Sequence, residues 1–227
     1  MANNIIKLSN GSEVILDEWI HWDTFSTMEF AGQQKVELSA FRYTVGQQVP
    51  STGLTKRTAT ETDTNMVAKG RVNNDEELIV FGLTHEIFAL SDGAADPTVY
   101  PAAGNLGSLA PGVSVHNYRV LQHLCMVEFF VGAKITKPQI RAHFASLGQS
   151  IGPTAHGTVN PAGNVFRSEG TSGRVSANNQ WKLELPMSVE SDRMVHLKFF
   201  SPRAMSLLNQ DIQLRWHLDA LKRRPFG

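Results

Sequence analysis

Ile212-Gln-Leu-Arg-Trp-His-Leu-Asp-Ala220 alternates apolar and polar residues without a break. In an extended chain Ile212, Leu214, Trp216, Leu218 and Ala220 fall on one side, and Gln213, Arg215, His217 and Asp219 on the other. That is the pattern of a strand with one face in a core and one toward water. Working outward, Trp181, Leu183 and Leu185 alternate with Lys182 and Glu184 before Pro186. Val195, Leu197 and Phe199 alternate with His196 and Lys198 before Pro202. Each proline marks an expected strand end. Glu190-Ser-Asp-Arg193 between them has turn composition, so 181–200 is expected to form a hairpin-like pair.

Upstream, 77–90 reads as a long buried strand with Ile79, Phe81, Leu83 and Ile87 on one parity. In 36–45 the apolar parity changes from Val36, Leu38 and Ala40 to Phe41, Tyr43 and Val45, which predicts a bulge near Ala40 or Phe41. A weaker strand covers 14–22, with Trp19 and Trp22 on opposite faces. Residues 116–131 fit a helical stripe or a nearly all-apolar strand; the reading preferred is a helix to about Leu124, then a strand to Val131. Lys137-Pro138 opens a segment, 137–146, that predicts a short helix with proline in its first turn. Three stretches rich in Gly, Pro, Ser, Thr and Asn, 46–70, 91–114 and 148–180, are too long for simple turns. Loops of that length are usually functional or disordered, and neighbouring subunits are expected to give these their order.

The chain has 227 residues, enough to bury a full core without a stabilising cofactor. Lys and Arg balance Asp and Glu at 21 each, which argues against a polybasic nucleic-acid binder. Charged residues make up 19%, below the roughly 25% usual in globular domains, and Ser, Thr, Asn and Gln outnumber them. Such a surface suits a chain packed against neighbours. The single cysteine, Cys125, excludes an intrachain disulfide. The amino-terminal residues lack a secretory pattern, and no apolar run reaches the ~18 residues of a membrane-spanning helix. The expectation is synthesis and retention in a cytoplasm.

Gly148-Gln-Ser150-Ile-Gly152 matches the G-x-S-x-G nucleophile elbow, which would make Ser150 a hydrolase nucleophile with His156 as its base. The flanks are wrong for it, since a strand should precede and a helix follow. The eight histidines show no metal-ligand spacing, so neither a metal nor a cofactor is expected. His196 and His217 lie on polar parities, as exposed or interfacial rings, whereas His85 reads as a core histidine. Asp92 and Asp96 do not fit a calcium loop. No phosphate-binding glycine motif occurs. Lys222-Arg223-Arg224 after the last strand is either a solvated tail or a contact to phosphate or to an acidic neighbour.

Many strands, long loops and little helix describe a mainly β chain: an antiparallel β-sandwich or jelly roll over 1–227, with one or two short helices. A carbohydrate-binding sandwich using Trp19, Trp22 or Trp181 is one reading. The long strand 77–90, the long loops, the hairpin-like 181–200 and the closing strand 212–220 with its basic tail make the whole chain similar to jelly-roll coat proteins of phages and viruses. That resemblance implies a non-enzymatic capsid subunit in a virion. Its partners would be copies of itself in a symmetric shell and other virion proteins, with direct nucleic-acid contact left open by the neutral charge.

Overall fold

A computed structural model describes residues 5–8, 11–15, 19–32, 34–73, 76–90, 120–121, 123–132, 134–142, 156–159, 165–168, 181–205 and 211–223. Among the described residues nine strands build two sheets, and eight of them are the main ones: β3 (Trp19–Phe30), β4 (Glu37–Ala40), β6 (Leu78–Leu90), β7 (Met126–Val131), β8 (Lys134–Arg141), β11 (Trp181–Val189), β12 (Val195–Phe200) and β13 (Asp211–Arg223). Short strands accompany them: β1 (Ile5–Lys7) with β2 (Glu13–Ile15), β9 (His156–Val159) with β10 (Val165–Ser168), and β5 (Ser51–Thr52). One sheet has the order β11-β6-β13-β3-β5 and the other β4-β12-β7-β8. The fold is a β-sandwich, antiparallel except where β5 runs parallel to β3.

The eight main strands, taken in chain order, pair first with last (β3 with β13), second with seventh (β4 with β12), third with sixth (β6 with β11) and fourth with fifth (β7 with β8). The chain is thus one long antiparallel hairpin, bent at β7–β8, whose successive pairs alternate between the two sheets. Both sheets send side chains into one core. Phe30 of β3 stacks on Phe199 of β12 with ring centroids 5.9 Å apart, and Phe199 meets Trp216 of β13 at 6.1 Å. These aromatic contacts fasten sheet to sheet.

The alternation in 212–220 is realised as read: Ile212, Leu214, Trp216, Leu218 and Ala220 are all buried in that core. His85 is buried against the Trp216 ring at 4.8 Å, and residues 120, 121, 123 and 124 with β7 follow the expected helix-then-strand order, 116–119 and 122 lying outside the described residues. Other expectations are corrected. Pro186 does not end its strand; β11 runs through it, because β11 is an edge strand whose register with β6 shifts between Lys182 and Met187. The segment opening at Lys137-Pro138 is not a helix but β8, also an edge strand. There Lys137 faces Phe129 and Ile140 faces Val127, so Pro138 sits in a bulge; 143–146 lie outside the described residues.

Residues 181–200 do not form a hairpin. Glu190 to Arg193 does turn, with Asp192 at φ 57°, but β11 and β12 belong to different sheets. In β6 the inward parity is Leu78 and Val80, then Leu83 and Ile87, because Phe81 is skipped in the register with β13. The parity change in 36–45 comes from a strand end, not from a bulge within a strand. Phe41, wholly buried, takes a left-handed φ of 64° and its N–H donates to Ser26 Oγ at 2.9 Å.

The stretch 46–70 also departs from expectation, since partners within the same chain order it. It lies along β3, with Glu29 N–H donating to Pro50 O, Ala31 N–H to Thr52 O and Thr27 N–H to Asp63 O at 2.8–2.9 Å. The free edge of β3 is thereby covered. Residues 91–114 lie outside the described residues, as does 148–180 apart from β9 and β10. Trp216→Ala, which removes the ring joining both sheets, is expected to cost about 3–5 kcal/mol in urea unfolding. A loss below 1 kcal/mol would contradict the central place given to this ring.

Candidate functional site

Because β13 alternates strictly, its polar parity projects from the outer face of the five-stranded sheet, between β3 and β6. Two His-x-Asp tripeptides meet there: His21-Trp22-Asp23 on β3 and His217-Leu218-Asp219 on β13. Antiparallel register sets Asp23 directly opposite Asp219. Like charges so placed repel, and each aspartate is met by the other strand's histidine. His217 Nδ1 lies 2.9 Å from Asp23 Oδ2, and His21 Nε2 lies 2.8 Å from Asp219 Oδ1. On its other side His217 Nε2 faces Glu86 of β6 in an ion pair of 3.5 Å. The guanidinium of Arg215 sits 5.5 Å from the Phe25 ring beside this group.

Burial works to lower the pKa of His217, but the hydrogen bond to Asp23 and the negative charges of Asp23 and Glu86 outweigh it and push it up to about 9. At neutral pH the ring is an imidazolium that ties three strands together. The imidazolium beside it holds Glu86 below the usual carboxylate range.

A second network sits where 46–70 meets β3. Arg57 donates from Nη1 and Nη2 to both oxygens of Asp63 at 2.7 and 2.6 Å, and from Nε and Nη2 to Glu29 Oε1 at 2.9 and 2.6 Å. Gln213 Nε2 adds a bond to Glu29 at 3.1 Å, and Thr60 donates from its N–H and hydroxyl to Asp63. Burial would raise the pKa of Asp63, yet Arg57 and Thr60 bring it below its ordinary value. The Tyr43 hydroxyl donates to Thr27 O at 2.6 Å, and burial pushes its pKa up to about 12. This network is a clamp that fastens the segment to the sheet.

Lys222 and Arg223 are not a detached tail, because both lie within β13. Lys222 Nζ is 2.5 Å from Glu76 Oε1 and 4.5 Å from the centroid of the Trp22 ring, while Arg223 Nη1 is 3.9 Å from Glu77. Their charge is largely matched at home. The same contact occupies a face of Trp22 that a stacked sugar would need. Arg224, Ser150, Asp92 and Asp96 lie outside the described residues; His156 is placed only as part of β9, and Trp181 only as part of β11. Cys125 is buried, its thiol pushed up to about 12 by desolvation, which marks a packing residue and not a nucleophile. His196 stacks on Phe130 at 4.3 Å. Among the described residues no group of side chains has metal-holding geometry, and no helix is long and apolar enough to cross a membrane. No family model, curated protein or solved structure matches the chain.

Two outcomes are expected. His217 has a folded pKa above its ordinary 6.5, so its stabilisation is complete below about pH 6.5 and is lost as pH rises toward 9. Urea unfolding across that window should show falling stability in the native sequence and a flatter profile in His217→Gln; parallel profiles would contradict the bridge. Arg57→Ala strands Glu29 and Asp63, whose side chains are 5% and 2% exposed. The loss expected is about 2–3 kcal/mol, less than for a fully buried pair because Arg57 is 40% exposed. Arg57→Lys should recover only part of it, since an ammonium cannot fork onto two carboxylates.

Proposed function

We propose that this sandwich is a jelly roll and that the chain is a virion structural protein, a capsid shell subunit acting by repeated protein–protein contact. The observation that carries the reading is the pairing of first strand with last, second with seventh, third with sixth and fourth with fifth, split over two sheets. A long hairpin rolled in this way is the double Greek key of jelly rolls, an architecture that viral shells share with lectins and cupins. The low charge content supports the shell among these, because charge is depleted at buried interface centres. The internal clamps support it as well. A wall element has to arrive at each neighbour in one shape, and Arg57 and His217 brace its two polar regions from within.

Work of this kind needs interfaces, each burying on the order of 1,600 Å² in total, arranged by closed symmetry. The balanced charge favours assembly through protein contacts, without a nucleic-acid scaffold. The carbohydrate-binding alternative is weakened at Trp22, where Lys222 lies over the ring. Sedimentation and negative-stain microscopy of the purified chain, freed of nucleic acid, provide the test. Uniform closed particles or large discrete oligomers are expected. A monomer at every concentration and ionic strength tried would overturn the proposal.

A further inference from the structure

The two sheets present four edges, β11 and β5 on one and β4 and β8 on the other. Because β4 lies beside β3 and β5, those two edges share one side of the sandwich, and β8 and β11 share the other. On the first side the edges are brief. β5 has two residues and β4 four, and Phe41 directly after β4 enters the left-handed region with its N–H on Ser26 of β3. Backbone so short and so bent offers a further strand little to pair with.

The second side is different. β8 has eight residues and β11 nine, each long enough to take another strand, and among the described residues neither has a neighbour on its outer side. Both contain good strand formers, Ile135, Thr136 and Ile140 in β8 and alternating Trp181, Leu183 and Leu185 in β11. An open edge of that length is a template for a strand of a second molecule.

Each of these two strands carries a proline. The chain has ten, and the two inside described strands are Pro138 in β8 and Pro186 in β11. Both fall in breaks of register. From Lys137 to Ile140 β8 advances three residues while β7 advances two, and from Lys182 to Met187 β11 advances five while β6 advances two. A strand laid along either edge would meet a missing donor and a bend partway along. Lys134, Lys137 and Arg141 add like charge to β8, whereas Lys182 and Glu184 of β11 offset each other, so at β11 the proline acts without that help.

We infer that Pro138 and Pro186 bar strand addition at the open side of the sandwich, so that copies of this chain cannot join edge to edge into open-ended sheets. Contacts between copies are thereby confined to faces and loops, the kind a closed shell requires. The bar applies equally to a chain that stays single, so it stands apart from the shell reading.

The test is sedimentation velocity and thioflavin T fluorescence of the full chain carrying Pro138→Thr, Pro186→Thr or both, with far-UV circular dichroism and thermal melts to establish that each variant is folded. Pro186→Thr opens one edge and should add a discrete dimer, at a concentration about tenfold below any dimer of the native chain. Pro138→Thr should do less, because β8 keeps its cations. The double variant opens both edges and should grow without limit, with thioflavin fluorescence. Pro186→Lys returns the N–H but sets an ammonium on the edge, and should sediment like the native chain. Equal association of Pro186→Lys and Pro186→Thr would mean a loosened fold and would overturn the inference. Folded threonine variants that all sediment as the native chain does overturn it as well. Hydrogen exchange of the native chain needs no substitution: amides of β8 and β11 that do not donate to β7 or β6 should exchange fast, and protection equal to that of the inner strands would show these edges covered and sink the inference. A native chain that stays monomeric removes the shell reading alone, and the variants still decide this one.

Discussion

The ladder between β3 and β13 is the constraint on which the rest of the molecule depends. Every residue of β3 from Trp19 to Phe30 has a register partner between Ile212 and Arg223, so the first and last wall strands close along their full length. Since side chains alternate, this one register decides two faces at once. It sends Trp216 inward to Phe199, and His217 outward to Asp23. A slip of one residue would exchange them, placing an imidazolium in the core and an indole in water. The second neighbour of β13, β6, absorbs its own irregularity at Phe81 and leaves the β3 register untouched.

The outer polar groups follow from that closure. Two aspartates fall opposite each other because of the register, and the histidines two residues along each strand neutralise the repulsion. Farther along the same ladder, Glu29 and Gln213 are set side by side, and Arg57 reaches them from the covering segment. The polar residues of this sheet thus fix geometry from outside, as the aromatic core does from inside.

Much of the β architecture is legible in the amino-acid order, because half-buried strands advertise themselves by period two: β12 and β13 are readable residue by residue. β3 is harder. Its inward positions include Thr24 and Ser26, so its apolar alternation is broken although the strand is long. Prolines mislead for a physical reason. An edge strand has one unpaired side, and a bulge there removes the need for an N–H, so Pro138 and Pro186 stop nothing. The switch at Phe41 marks the right position, but a left-handed residue and an inserted residue leave the same trace in a sequence. The His–Asp quartet has a visible signal, two His-x-Asp tripeptides on strands, yet its meaning needs the register. The Arg57 clamp has no local signal at all, because its members come from positions 29, 57, 63 and 213.

Native-state hydrogen exchange tests the closing ladder most directly. Amides of β13 lie between two paired neighbours and should exchange only through global unfolding, with opening free energies equal to that from denaturant titration and above those of the edge strands β4 and β8. Exchange of β13 through a lower-energy opening, while β12 and β7 stay protected, would show that the sandwich holds together without this closure and would contradict the account.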